Sequence, residues 1–189
     1  MKSRTFLSLL SFGVILFSCA PESGQLSEKT WINMDSLIRA QATGATIEKT
    51  ARLGDDQSTG TKSVNENWNT ELEAFSRLAV MNKPVYRNQY LETAGPDPTS
   101  NLLLKKIIAT DSTAPVRELR MSVHPDTWRI IRLEGSLRER SLLYSKQEEL
   151  TLEFDPHTGR LERYAVSGQQ KMAWFKPDAY EVKASVIYR

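Results

Sequence analysis

Two turn-like segments contain both histidines of the chain, each beside an aspartate. His124 and Asp126 flank one proline, and Asp155 and His157 flank another in the reverse order. Imidazoles and carboxylates bind divalent metals, so four such side chains at one end of a sheet would form a metal site. Proline, aspartate and threonine are also ordinary turn residues. We favour this second interpretation, and the sequence therefore predicts no bound metal and no cofactor.

Gly135 decides whether these two turns can meet. If the chain reverses there and again at 145–147, a meander places the turns at opposite ends of the sheet. If Gly135 is only a bulge in one long strand, the turns share an end. The surrounding segments 119–130 and 150–161 also align without a gap. Hairpin duplication or shared turn chemistry would explain this similarity, and we favour turn chemistry.

Three aromatic residues are candidates for a ligand site. Trp128 and Trp174 lie on predicted strands, where an aromatic ring either packs beneath a helix or lines a cavity. Phe75 lies on the apolar stripe of a predicted helix. The sequence does not distinguish a filled core from a cavity at these positions.

Motifs and charge exclude several function classes. The P-loop, G-x-S-x-G and H-E-x-x-H patterns do not occur in the sequence, nor does a G-x-G-x-x-G between a strand and a helix. The 25 basic and 23 acidic residues give a net charge of +2, which is too small to indicate nucleic-acid binding. We therefore expect a protein that is not an enzyme and has no nucleic-acid partner.

The N-terminus has the layout of a secretory signal. A short cationic start is followed by an apolar run over 6–17, then by Ser18 and by Cys19, the one cysteine of the chain. A helix needs roughly 20 apolar residues to cross a bilayer, so this run is too short to remain as a membrane span. Cleavage of the segment is expected.

The four residues Leu16-Phe17-Ser18-Cys19 resemble the lipobox of bacterial lipoproteins. The resemblance implies cleavage before Cys19, lipid attachment to its thiol and anchoring to a membrane through the acyl chains. Ala20 in the next position implies an outer-membrane location, at the periplasmic face or the cell surface. In its general layout the chain is otherwise similar to small bacterial envelope lipoproteins.

Composition divides the chain into a signal peptide (1–18), a lipidated tether (19–29) and a single α+β domain (30–189). The domain begins with two predicted helices. The first starts near Trp31 and ends before Gly44. The second runs from Ser63 to Asn82, with Glu71, Glu73 and Arg77 on its outer face. Between the helices we predict an edge strand over 46–53 and a loop over 54–61.

Most of the remaining chain alternates between apolar and polar residues. Leu150, Leu152 and Phe154 face one way and the intervening glutamates the other, and 180–188 behaves in the same manner. Short connections leave no room for crossover helices, so the strands must be antiparallel. The predicted fold is a curved antiparallel meander of about seven or eight strands, with the two N-terminal helices packed on one face.

Three functions remain compatible with this layout. The leading one is a membrane-anchored envelope lipoprotein that acts as a non-catalytic binding or structural module, with an unidentified protein or lipid partner. A periplasmic carrier of lipid or another apolar ligand is the second, and it requires an apolar cavity of roughly 300 Å³ or more. A small hydrolase without a recognisable motif is the third.

Overall fold

The computed structural model describes residues 30–41, 44–64 and 68–188. The proposed signal peptide, lipobox and tether lie outside these residues. The described strands all belong to one antiparallel sheet: β1 Ala45–Leu53, β2 Asp56–Val64, β3 Tyr90–Pro96, β4 Leu103–Ala109, β5 Val116–Val123, β6 Ile130–Arg140, β7 Tyr144–Phe154, β8 Leu161–Met172 and β9 Asp178–Tyr188.

The strand order across the sheet is β2-β1-β9-β8-β7-β6-β5-β4-β3. Strands β3 to β9 therefore form a meander, in which each strand pairs with the next one in the chain. The exception is β1, which pairs antiparallel with β9 along its whole length, from Ala45 opposite Tyr188 to Leu53 opposite Tyr180. The predicted antiparallel sheet is confirmed, with nine strands among the described residues instead of seven or eight.

One additional strand arises where we predicted a loop. Residues 54 and 55 form a turn, and β2 then pairs with β1 from Asp56 opposite Leu53 to Val64 opposite Ala45. The segment is polar, yet an edge strand is held through backbone hydrogen bonds and does not need an apolar face. The prediction of a loop over 54–61, which rested on polar composition, was therefore wrong for residues 56–61.

The prediction of two N-terminal helices is not supported. The described helical segments are short: α1 Met34–Arg39, α2 Trp68–Glu71, α3 Glu73–Ser76, a 3₁₀ helix Arg77–Asn82 and α4 Pro84–Arg87. In α1, the side chain of Asn33 accepts a hydrogen bond from the Ser36 backbone N–H at 2.9 Å, which caps the helix.

The second predicted helix is interrupted because its apolar residues recur every three positions. The residues at this spacing are all at most 1% exposed: Leu72, Phe75, Leu78 and Met81. A 3₁₀ helix has three residues per turn, so it keeps such residues on one face, whereas an α-helix of 3.6 residues per turn would rotate them away. Leu72 leaves helical geometry at the junction between α2 and α3.

We call the sheet face that contacts these helical segments the inner face. Its core contains Leu119, Leu133, Leu150 and Leu152, packed in one cluster with the buried residues of the helical segments. Gly135 lies in the middle of β6, opposite Leu119 and Leu150. A Cβ atom at Gly135 would lie 2.5 Å from Leu78 Cδ2, so the glycine lets the 3₁₀ helix approach the sheet.

Candidate functional site

The two histidine turns share one end of the sheet, because β6 runs unbroken through Gly135. They are also neighbours, since the Arg129 guanidinium donates a hydrogen bond to the His157 carbonyl oxygen. Even so, among the described residues no group of three or more His, Cys, Asp and Glu side chains is placed to hold a metal ion. The structure therefore brings His124, Asp126, Asp155 and His157 to one end without assembling a metal site.

The similarity between segments 119–130 and 150–161 reflects one repeated turn geometry. In the first turn the His124 N–H donates to the Arg129 carbonyl, and the Trp128 N–H donates to the His124 carbonyl, both at 2.9 Å. Asp155 makes the corresponding pair with Arg160 and Gly159, both at 2.8 Å. Trp128 and Gly159 occupy matching positions with positive φ angles of 55° and 73°. The two segments therefore share one turn geometry, which shared turn chemistry and hairpin duplication would both produce.

The acidic residue of the second turn holds that turn through one of its two carboxylate oxygens, Oδ1. The Asp155 carboxylate accepts hydrogen bonds from the Thr158 hydroxyl at 2.7 Å and from the His157 backbone N–H at 3.0 Å. Hydrogen bonds from Thr158 and His157 hold the pKa of Asp155 below its ordinary value. This carboxylate acts as a turn residue.

The three aromatic ligand candidates do not lie together. Phe75 is fully buried, with its ring edge-on to that of Tyr164 at a centroid distance of 6.1 Å. Trp128 is 72% exposed in the β5–β6 turn, and Trp174 is 83% exposed in the β8–β9 turn at the opposite end of the sheet. These residues therefore cannot line one cavity, and Trp128 and Trp174 lie on turns instead of strands.

A buried carboxylate, Glu148, lies between the sheet and the 3₁₀ helix. It accepts a hydrogen bond from the Tyr180 hydroxyl and forms ion pairs with Arg77 and, at 2.9 Å, with Lys146. Arg77 also pairs with Glu139 at 2.7 Å. We call these five residues the Glu148 cluster. Arg77 thus contacts the sheet, contrary to its predicted outward position.

Burial raises the pKa of Glu148, but hydrogen bonds from Lys146 and Tyr180 and the charge of Arg77 outweigh burial, so the pKa lies below its ordinary value. Burial, together with the hydrogen bond to Glu148, raises the pKa of Tyr180 above its ordinary value. A catalytic general acid requires a raised carboxyl pKa. The Glu148 cluster has the opposite electrostatics and is suited to a structural clamp.

A second buried carboxylate repeats this arrangement near the other end of the helical layer. The Glu71 side chain, only 2% exposed, forms an ion pair with Lys49 of β1 and accepts a hydrogen bond from the Tyr164 hydroxyl of β8. Burial and this hydrogen bond raise the pKa of Tyr164 above its ordinary value. Glu71 was predicted to face outward, and it instead links α2 to the sheet.

Strand parity contained a signal for one of these two carboxylates. Glu148 lies an even number of residues from the buried Leu150, Leu152 and Phe154 of β7. Because side chains alternate between the two faces of a strand, this spacing predicts that Glu148 also points to the inner face. Glu71 has no such signal, because its orientation depends on the break at Leu72.

The outer face of the sheet has a cavity of about 470 Å³ across β1, β9, β8 and β7. Its lining includes Glu48, Arg163 and Lys183. Arg163 pairs with Glu153 at 2.6 Å, and Arg132 pairs with the same carboxylate at 3.2 Å. Opposite charges on neighbouring strands pair with each other here, as on an ordinary solvated sheet face.

A patch of exposed apolar side chains lies at the end of the sheet opposite the histidine turns. It is formed by the β6–β7 and β8–β9 turns, which are joined by a hydrogen bond of 2.9 Å from the Ala173 N–H to the Leu143 carbonyl. We call it the tip patch, and its six members are Leu142, Leu143, Tyr144, Met172, Trp174 and Phe175, with Leu142 99% exposed. Isolated exposed apolar residues are normal on a surface, but a contiguous group indicates a contact surface.

The tip patch projects beyond the end of β1. Tyr180 of β9 lies opposite both Leu53, where β1 ends, and Gly168 of β8. From Gly168, β8 continues for four more residues to Met172, about 13 Å at 3.3 Å per residue. The cavity between the two turns measures about 230 Å³. This is below the usual size of a small-molecule site, so the patch is better suited to contact a surface.

Among the described residues, no helix is both long and apolar enough to cross a bilayer. Comparison of the chain with protein-family models, with curated proteins and with solved structures gives no match.

Proposed function

We propose that the protein is a lipid-anchored envelope lipoprotein whose domain is a non-catalytic binding module, with the tip patch as its contact surface. The observation that supports it is the group of six exposed, projecting apolar side chains on a domain whose inner face is already covered. The pattern from Leu16 to Cys19 supports the anchor, and Ala20 supports an outer-membrane location.

Saturation of the buried carboxylates supports a non-catalytic role. Glu148 has three partners and a lowered pKa, so it lacks the properties of a general acid. No observation favours the small-hydrolase alternative.

The anchor is tested by mass spectrometry of the N-terminal fragment from native protein extracted from membranes. We expect removal of residues 1–18 and a mass increase on Cys19 that corresponds to acyl chains. Cys19→Ser serves as the control, since it should retain the signal segment and gain no acyl mass. An N-terminus at Met1, or a free thiol at Cys19, would contradict the anchor.

One observation favours the second candidate, a lipid carrier. A cavity of about 420 Å³ lies beside the 3₁₀ helix, lined in part by Ala79, Val80 and Leu137. Its volume exceeds the roughly 300 Å³ that a carrier requires. Arg77, Lys83 and Glu139 also line it, so the cavity is less apolar than a lipid chain prefers.

Lipid extraction distinguishes the two candidates. A carrier should co-purify with a stoichiometric lipid that the cavity-filling variant Ala79→Trp loses. The leading proposal predicts no such lipid apart from the chains attached to Cys19.

A further inference from the structure

We infer that the tip patch inserts into the surface of a bilayer that contains anionic phospholipids. This inference deepens the proposed function, on which it rests for the orientation of the domain, by naming the partner of the tip patch.

The apolar side chains of the patch have the composition of a membrane-contacting surface. Trp174 and Tyr144 are the residue types that concentrate at the boundary between headgroups and acyl chains, where one end of the ring is apolar and the other is hydrated. Leu142 and Phe175 add purely apolar surface at the tips of the two turns. The projection of about 13 Å past the end of β1 lets these side chains enter a planar surface before that strand end reaches it.

The charges of the two turns that form the tip patch favour an anionic lipid surface as the partner. The two turns with their flanking residues, 140–145 and 171–177, contain three basic residues and no acidic one. Arg140, Lys171 and Lys176 are all exposed. The nearest acidic positions along these hairpins are Glu139, which pairs with Arg77, and Asp178 at the start of β9. Long basic side chains beside inserted apolar residues reach the headgroups with their charges.

The proposed anchor can reach the same membrane. Residues 19–29 extend to at most about 38 Å at 3.5 Å per residue. The described chain begins at Thr30, and the ring of the next residue, Trp31, packs on Tyr90 at a centroid distance of 5.9 Å. Tyr90 lies at the end of β3 that points toward the tip patch, since its partner Ala109 belongs to the same end of β4. A tether from this point therefore allows the acyl chains and the tip patch to contact one bilayer.

The test uses the full lipidated protein in vesicles whose phospholipids carry brominated acyl chains, which quench tryptophan fluorescence by contact. Trp174 and Trp128 form a matched pair, because both are more than 70% exposed and lie at opposite ends of the sheet. We expect quenching in the natural protein and in Trp128→Phe, and its loss in Trp174→Phe. Equal quenching in the two variants, or none in the natural protein, would overturn the inference.

The charge component is tested with the double variant Lys171→Ser/Lys176→Ser. In phosphatidylcholine vesicles that contain phosphatidylglycerol, each lysine should favour the inserted state by about fivefold, since a basic residue near an anionic surface contributes on the order of that factor. Lys183→Ser, an exposed lysine opposite Ala165 in the middle of the sheet, is the control and should change nothing. If phosphatidylglycerol has no effect on the natural protein, selection of an anionic surface is refuted.

Two further outcomes separate the inference from the anchor and from a protein partner. Quenching of Trp174 without acylation of Cys19 would refute the anchor and leave the inference intact. Acylation of Cys19 without quenching of Trp174 would refute the inference and leave the anchor intact. Self-association that Phe175→Asp abolishes, in a chain whose Trp174 is not quenched, would assign the patch to a second copy and overturn the inference.

Discussion

Trp128 is a bulky residue in a backbone conformation that favours glycine. Its φ of 55° lies in the left-handed region, and its side chain is 72% exposed, so burial recovers little of the backbone strain. The equivalent position in the other turn is occupied by Gly159, with φ 73°. The turn geometry is the same in both places, but only the second turn has a glycine, the residue that adopts a positive φ without strain, at this position.

We expect Trp128→Gly to raise the free energy of unfolding by about 1 kcal/mol, because it removes the left-handed strain. Gly159→Ala is the reciprocal variant and should lower it by about 1 kcal/mol, although its added Cβ has space. Urea unfolding measures both changes. A loss of stability in Trp128→Gly would show that the ring makes a stabilising contact that outweighs the strain.

Glu148, in contrast, has a buried carboxylate with three partners, Arg77, Lys146 and Tyr180. Replacing the carboxylate by Glu148→Gln leaves Arg77 and Lys146 without their buried anion, and breaking such a pair costs about 3 kcal/mol. Glu149→Gln is the matched control, because Glu149 is exposed on the outer face and bonds only to Ser136 among the described hydrogen bonds. We expect that variant to change the unfolding free energy by less than about 0.5 kcal/mol.

The same residue predicts a pH dependence. The pKa of Glu148 in the folded state lies below its ordinary value of 4.5, so the unfolded chain takes up the proton first as the pH falls. Its stabilising contribution is therefore complete above the ordinary pKa and is lost as the pH falls through the folded-state pKa. Unfolding free energies measured at decreasing pH should fall less steeply in Glu148→Gln than in the natural protein. Equal slopes would contradict the lowered pKa.

At the scale of elements, the contact between the 3₁₀ helix and β6 depends on one absent side chain. A Cβ at Gly135 would overlap the side chain of Leu78, which is itself fully buried, so the two must shift apart. We expect Gly135→Ala to cost about 2 kcal/mol through overpacking. Gly95→Ala adds a Cβ that meets no atom within 4 Å and should be close to neutral in the same urea titration. Similar values for the two variants would show that the helix shifts freely.

The sequence predicted those elements whose side chains alternate in burial. Leu150, Leu152 and Phe154 alternate with polar neighbours, and β7 forms there as expected. Strand β2 has no apolar face and is held by backbone pairing with β1, so alternation could not predict it. Gly135 resembled a turn residue because the need for space beneath Leu78 arises only from the packed fold. A spacing of three in the helical segment was visible, although we assigned it to an α-helix.

The candidate sites were less predictable than the strands. The sequence leaves two arrangements of the histidine turns open, depending on whether the chain reverses at Gly135. In the structure it does not reverse there, and the two turns lie at the same end of the sheet. The sequence does not predict the tip patch, because it places Trp174 on a strand, whereas β8 ends at Met172 and Trp174 lies in the following turn. Hairpin length decides which residues are exposed at a tip, and alternation does not specify that length.

For the whole molecule, the pairing of β1 with β9 joins distant parts of the chain. Ala51 and Val182 are direct partners across these strands. A disulfide in Ala51→Cys/Val182→Cys would close a loop of about 130 residues, and chain entropy sets an upper limit of about 5 kcal/mol on the stability gained. The measurement is urea unfolding with and without reductant.

The control closes a much smaller loop on the same strand. Ala51 is also the partner of Ser58 in β2, and Ala51→Cys/Ser58→Cys should yield about 2 kcal/mol at most by the same argument. If the long-range disulfide fails to form while the hairpin disulfide does, the pairing of β1 with β9 is wrong.

This pairing has a consequence for biosynthesis. Strand β1 is translated before every other strand of the described sheet, and its partner β9 after all of them. Until the ribosome has produced residues 178–188, the β1–β2 hairpin has no sheet to join, and an isolated hairpin is marginally stable in water. The β1–β2 hairpin is therefore translated first among the described strands but joins the sheet last. Strands β3 to β8 pair only with their neighbours along the chain, so this part of the sheet can form before β9 has been synthesised.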